Sequence, residues 1–155
     1  MPDPNAYILR LGTHGPAGLN QPEALSRLFS SAAKGGELWF AVNIANPGQL
    51  QTVSWRLLRE SWRFCASWEG VVRFAARASN VVTASDPQPV PSASAGATWT
   101  KDGRSAQARC WVQFDPKSFE EVRWTAADFL TWQAEGWRQG FPKNQTALLR
   151  AIVPD

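Results

Sequence analysis

Histidine occurs once, cysteine twice, and Lys plus Arg exceed Asp plus Glu by only three in a chain of 155 residues. Each scarcity excludes something. His14, Cys65 and Cys110 stand far apart, with no Cys-x-x-Cys or His-x-x-x-His spacing, so zinc has no ligand set and no cofactor is expected. No phosphate-binding Gly-rich loop and no dinucleotide fingerprint follows a strand-like segment, which removes the usual handles for nucleotide hydrolysis and hydride transfer. No apolar run reaches the roughly 18 residues of a spanning helix. The opening MPDPNAYILRLGT lacks the basic and apolar stretches of a leader peptide. The two isolated thiols read as buried side chains of a cytoplasmic protein.

What is present is the composition of a folded globule, 44% hydrophobic and 19% charged, which argues against a disordered, collagen-like or coiled-coil chain. At this length a single domain over residues 1–155 is expected. The net charge of +3 is localised. Residues 1–55 and 78–155 are each neutral, whereas Arg56, Arg59, Arg63, Arg73 and Arg77 face only Glu60 and Glu69. Trp55, Trp62 and Trp68 fall in the same stretch. Arg is the cation that forks onto phosphate and stacks on flat rings, so this interleaving is the main functional signal.

Ala6–Leu11 reads as a first strand, and a helix with Leu25, Leu28, Phe29 and Ala32 on one face follows, stopped by Gly35 and Gly36. Glu37–Ile44 reads as a strand buried on both faces, followed by a turn at Asn46-Pro47-Gly48. Leu50–Trp68 reads two ways: alternation over Leu50–Trp55 fits a hairpin with Glu37–Ile44, and helical period gives Trp55, Leu58, Trp62 and Cys65 as an apolar stripe with Arg56, Arg59 and Arg63 beside it; the favoured combination is an extended start and then a helix over about residues 54–66. A strand over 70–82 places Val72, Phe74 and Ala76 on one side. Residues 83–97, rich in Pro, Ser and Ala, read as a surface loop. Lys101-Asp102-Gly103-Arg104 signals a hairpin leading into a strand that ends at Phe114, and Glu120–Trp124 is a candidate last strand. Thr125 with Asp128 looks like a capping box opening a helix that holds Phe129, Leu130 and Trp132, and Asn144 caps a final helix with Leu148, Leu149 and Ile152. About five strands and three or four helices make an α+β pattern around a mixed or antiparallel sheet.

Most of the nine Trp residues belong in a core, but those among polar neighbours, Trp55, Trp62, Trp68, Trp99, Trp132 and Trp137, are too many to hide, so two or three are expected to line a cleft. Flat aromatic walls suit nucleobases, quaternary ammonium groups or sugars, and adjacent Arg side chains select the phosphate-bearing choice. The competing reading is a solvated Arg face whose aliphatic stems pack over Trp.

Three segments, Tyr7–Leu11 before a helix, Gly-Glu-Leu-Trp-Phe-Ala-Val-Asn at 36–43, and Asn144-Gln145 before Leu148–Ile152, are similar to the PUA-like superfamily, in particular its EVE and YTH-type members. That resemblance implies a small, partly closed barrel flanked by three or four helices, holding a flipped and often modified base between aromatic rings while basic residues grip the backbone. Trp39, Trp55 and Trp62 are then the candidate stacking rings and Asn43 or Asn46 the candidate base reader. The leading expectation is a non-catalytic, tryptophan-rich nucleic-acid-binding module, for DNA or RNA, with phosphates held by Arg56, Arg59, Arg63, Arg73 and Arg77. Two alternatives stand beside it: an interaction subunit that buries a Trp and Arg face against a partner protein, and a small hydrolase using His14 with a thiol.

Overall fold

Alternation in Ala6-Tyr7-Ile8-Leu9 sends Ala6 and Ile8 to one side and Tyr7 and Leu9 to the other, and this strand, β1 (Ala6–Arg10), lies within a seven-stranded sheet buried on both faces. The computed structural model describes residues 3–10, 26, 27, 30, 32–42, 44, 46–91, 100, 101, 104, 105, 107–133, 136–142 and 148–154. After β1 come β2 (Trp39–Ala41), a 3-10 turn over Pro47–Gln49, helix α1 (Leu50–Leu58), β3 (Arg63–Trp68), β4 (Val71–Ala76) and β5 (Ala78–Gln88). The short strands β6 (Thr100–Lys101) and β7 (Arg104–Ser105), β8 (Ala108–Phe114) and a second 3-10 turn (Pro116–Ser118) follow. The chain closes with β9 (Glu120–Trp124), β10 (Leu130–Gln133), β11 (Gly136–Gln139) and β12 (Leu149–Ile152).

The large sheet runs β11-β10-β12-β1-β3-β4-β9 and is mixed: β1 and β3 are parallel, joined through β2 and α1, and its other pairings are antiparallel. The small sheet runs β2-β8-β5. Tyr7, Phe64, Phe74 and Ala76 of the large sheet meet Phe40, Trp111, Val112 and Phe114 of the small one, and Leu50, Val53 and Leu57 of α1 seal the same core at helical spacing. Its aromatic cluster is built from Phe: Phe114 stands edge-on to Phe40 at 5.3 Å and to Phe64 at 5.0 Å, the geometry ring quadrupoles favour. The opposite face of the large sheet carries a second core of smaller residues, Ala6, Ile8, Cys65, Ala75 and Ala151, beneath Phe129 and Val153.

These observations correct the expected PUA-like barrel. Among the described residues the large sheet is open, with β9 and β11 at its edges, and one short helix, α1, is continuous rather than three or four flanking it. Nor is the core tryptophan-rich; Phe side chains dominate it. Three local misreadings account for much of the difference. Over 50–68 the helix comes first and ends at Leu58, where Trp62 N donates to Arg56 O and Ser61 takes a positive φ of 54°; residues 63–68 then extend as β3. The expected helix after Thr125 stops after one turn: Asp128 accepts from Thr125 N and Oγ1, but residues 130–133 pair with β12 and β11 instead of continuing. The expected final helix is β12, because Ala151 and Val153 enter the second core while Arg150, one residue before Ala151, faces the other side with Tyr7.

Smaller differences follow the same logic. A bulge at Arg73 moves the β3–β4 register by one residue, so Val72 enters the second core and Phe74 the first instead of sharing a side. The expected strand over 70–82 divides at Arg77, where the chain crosses between sheets, and β5 continues to Gln88, into the segment read as loop. β6 and β7 pair as expected around Asp102-Gly103, while the first expected helix falls mostly outside the described residues, of which Ser26, Arg27, Ser30 and Ala32 are helical.

Candidate functional site

Strand register brings together side chains that are far apart in sequence. Tyr7 on β1 lies opposite Arg150 on β12, and one step from the Thr131–Ala151 pair Arg150 comes beside Trp132, itself opposite Trp137 on β11. Residues directly across from one another share a face, so Tyr7, Arg150, Trp132 and Trp137 form one row across four strands. The Arg150 guanidinium sits 4.9 Å from the centre of the Trp132 ring, and Trp137 meets Trp132 edge-on at 5.3 Å.

A cavity of about 370 Å³ opens between this row and α1, lined by Tyr7, Arg56, Arg150, Trp132, Asn46 and Val53 among others. Arg56 enters from the helix: it lies 4.7 Å from the centre of the buried Trp62 ring and donates from Nη1 to the Tyr7 hydroxyl at 2.9 Å. Trp62 packs on Tyr7 at 5.0 Å, fixing the phenol beneath both cations. Burial pushes the Tyr7 phenol above its ordinary 10.0, while the Arg56 hydrogen bond, the Arg56 charge and the Arg150 charge pull it back. Glu60 is the acidic group felt at Tyr7, the weakest of these influences. Among the described residues neither Arg56 nor Arg150 has a carboxylate partner, whereas Arg63 pairs with Glu120. Two guanidinium groups held on indole rings and converging on one concave surface can bind an anion with little rearrangement.

The cleft contains only part of the set expected from sequence. Arg56 lines it and Trp62 supports it from below. Arg63 instead reaches Glu120 at 2.9 Å, the Pro154 carbonyl at 2.8 Å and the Trp124 ring at 5.2 Å. Arg77 is held at the corner between the sheets: its N donates to Ser118 Oγ, its carbonyl accepts from Asp115 N, and its guanidinium reaches the Ser61 carbonyl. Arg73 sits half-buried at the β4 bulge, Arg59 is exposed at the end of α1, and Trp55 points to solvent, 57% exposed. Trp39 is buried in the first core, its Nε1 unpaired among the described residues. Asn43 lies outside the described residues; Asn46 lines the cleft while its Oδ1 accepts from Gly48 N. Sequence reading missed Tyr7 and Arg150, while Trp132 is one of the six rings of which two or three are expected to line a cleft. The signal available was alternation: a polar-tipped side chain among apolar neighbours in AYILRL and again in LLRAIV.

A second cavity of about 400 Å³, sharing Ile44 with the first, has mainly apolar walls including Val42, Leu50, Pro87 and Ala108, with Arg109 among its residues. The thiols offer no reactive centre: Cys65 and Cys110 are buried in different cores, and burial pushes each up to about 12, so both stay protonated at neutral pH. His14 lies outside the described residues, and no helix among those described is long and apolar enough to cross a membrane. Compared with protein-family models, curated proteins and solved structures, the chain matches none.

Proposed function

We propose that the chain is a non-catalytic nucleic-acid-binding module of the cytoplasm, and that the Tyr7–Arg56–Arg150 cleft takes one nucleotide unit. The phosphate lies against Arg56 and Arg150, and the planar base lies toward Trp132. The observation that carries this reading is the convergence of two ring-stacked guanidinium groups on one cavity with no carboxylate partner among the described residues. An acidic guest supplies the missing charge, and a flat ring suits the half-buried indole and guanidinium planes that line the cavity. Two unreactive buried thiols fit a reducing compartment.

The test is a fluorescence titration with a single-stranded oligonucleotide at several salt concentrations. One neutralised phosphate gives a slope of log affinity against log salt of about −0.7, and Arg150→Ala reduces both affinity and slope. Binding that is absent, or indifferent to salt, refutes the reading. A specific observation favours a second reading: Trp55 and Leu58, 57% and 37% exposed, lie one turn apart on the outer side of α1 and suit a protein partner. Association that Trp55→Ala abolishes while oligonucleotides have no effect would select it.

A further inference from the structure

The charge inside the cleft distinguishes two kinds of phosphate. An internal phosphodiester carries one negative charge and has both bridging oxygens committed to the strand. A terminal phosphomonoester carries close to two charges at neutral pH and exposes three acceptor oxygens. The cleft presents two guanidinium groups, Arg56 and Arg150, and a third polar group, the Tyr7 hydroxyl. Because that hydroxyl accepts from Arg56 Nη1, its own proton is directed away from Arg56 and can be donated to a guest in the cavity.

Shape points the same way. A strand passing through needs a groove that follows its backbone, with cations spaced along it. Here the remaining members of the basic segment lie elsewhere: Arg63 and Arg77 are engaged with Glu120 and with main-chain carbonyls, and Arg59 and Arg73 line neither cavity. The cleft is a compact cavity of about 370 Å³, near the lower end of the range for small-molecule sites.

We infer that the cleft recognises a terminal phosphomonoester attached to a nucleoside, at a strand end or in a free mononucleotide, in preference to internal phosphodiesters. This rests on the nucleotide-binding reading above and narrows it. Arg56 and Arg150 neutralise the dianion, Tyr7 donates to its third oxygen, and Trp132 bounds the side where the base extends.

The full chain is titrated with one oligonucleotide in three forms, carrying a terminal phosphate at the 5′ end, at the 3′ end, or hydroxyl groups at both. A nucleoside monophosphate, glucose 6-phosphate and inorganic phosphate complete the set. A phosphorylated oligonucleotide or the mononucleotide binding at least tenfold more tightly than the hydroxyl-ended strand supports the inference, the first marking a strand end and the second a free nucleotide. That advantage shrinks as pH falls through about 6, where the phosphate takes up its second proton, and narrows in Tyr7→Phe, which keeps the ring and removes the donor. Equal affinity for phosphorylated and hydroxyl-ended strands overturns the inference and leaves the nucleic-acid reading standing. Glucose 6-phosphate binding as tightly as the mononucleotide overturns the nucleoside part. No binding by any oligonucleotide or nucleotide removes the parent reading itself.

Discussion

Arg56 and Arg63 are seven residues apart, both rest on an indole ring, and they are used in opposite ways. Arg63, on β3, lies over Trp124 and has a carboxylate from Glu120 and a carbonyl from Pro154, which tie β3 to β9 and to the chain's last described residue. Arg56, on α1, lies over Trp62 and, among the described residues, its guanidinium has a neutral phenol as its hydrogen-bond acceptor. A guanidinium with its charge balanced and its donors engaged at main-chain and carboxylate oxygens holds structure together. One oriented by a ring and a hydroxyl keeps its charge available to a guest. What separates the two is the second partner, which composition cannot reveal.

The largest expected effect sets the two arginines against each other. Arg63→Ala removes a charge-assisted hydrogen bond, a main-chain bond and a ring contact, and should lower the unfolding free energy by about 1–2 kcal/mol, discounted because Glu120 is largely exposed. Oligonucleotide affinity should stay within twofold. Arg56→Ala should do the reverse, losing at least tenfold in affinity with the smaller cost in stability. Urea denaturation and fluorescence titration on both variants measure this, and a larger stability loss in Arg56→Ala would break the distinction.

A second, smaller effect sharpens it, because Tyr7 is the only tyrosine in the chain and its ionisation can be read directly by ultraviolet titration. The native phenol should titrate above 10.0, rise further in Arg56→Ala, rise less in Arg150→Ala, and stay unchanged in Arg63→Ala. The sign for stability follows. The unfolded phenol loses its proton near 10.0 while the folded one keeps it, so the contribution is complete below that pH and is lost as pH rises beyond it. Smallest of all, Glu120→Gln should change stability by about 0.5 kcal/mol or less, since that carboxylate is 63% exposed and solvent screens the pair.

Elements with one strong local signal were legible. Breakers around AYILRL delimit β1, Asp102-Gly103 marks the β6–β7 hairpin, and alternation in SAQARCWVQF finds β8. The failures share a cause. Phe129 to Trp132 and Leu148 to Ile152 are short apolar runs whose spacing fits a helix or a strand equally well. They became strands because β10 and β12 extend the sheet beside β1, a long-range pairing that neither segment encodes alone. The site suffered more than the fold from this ambiguity, since treating those runs as helices hid the row that joins Arg150 and Trp132 to Tyr7.

Sequence alone determined the class of molecule and the chemistry in stock: a chain with no metal-ligand spacing, an excess of Arg over Lys, a localised positive charge and many indole rings. It also marked β1, the β6–β7 pair and β8, where alternation and breakers act over a few residues. Only the tertiary structure decided which arginines are spent on the fold and which face a cavity. That choice depends on partners brought from 49 residues away for Arg56 and Tyr7, 57 for Arg63 and Glu120, and 91 for Arg63 and Pro154. Local pattern sets what each segment can do; sheet register and the sheet-to-sheet corner set which side chains meet, and the function of a guanidinium is fixed by what it meets.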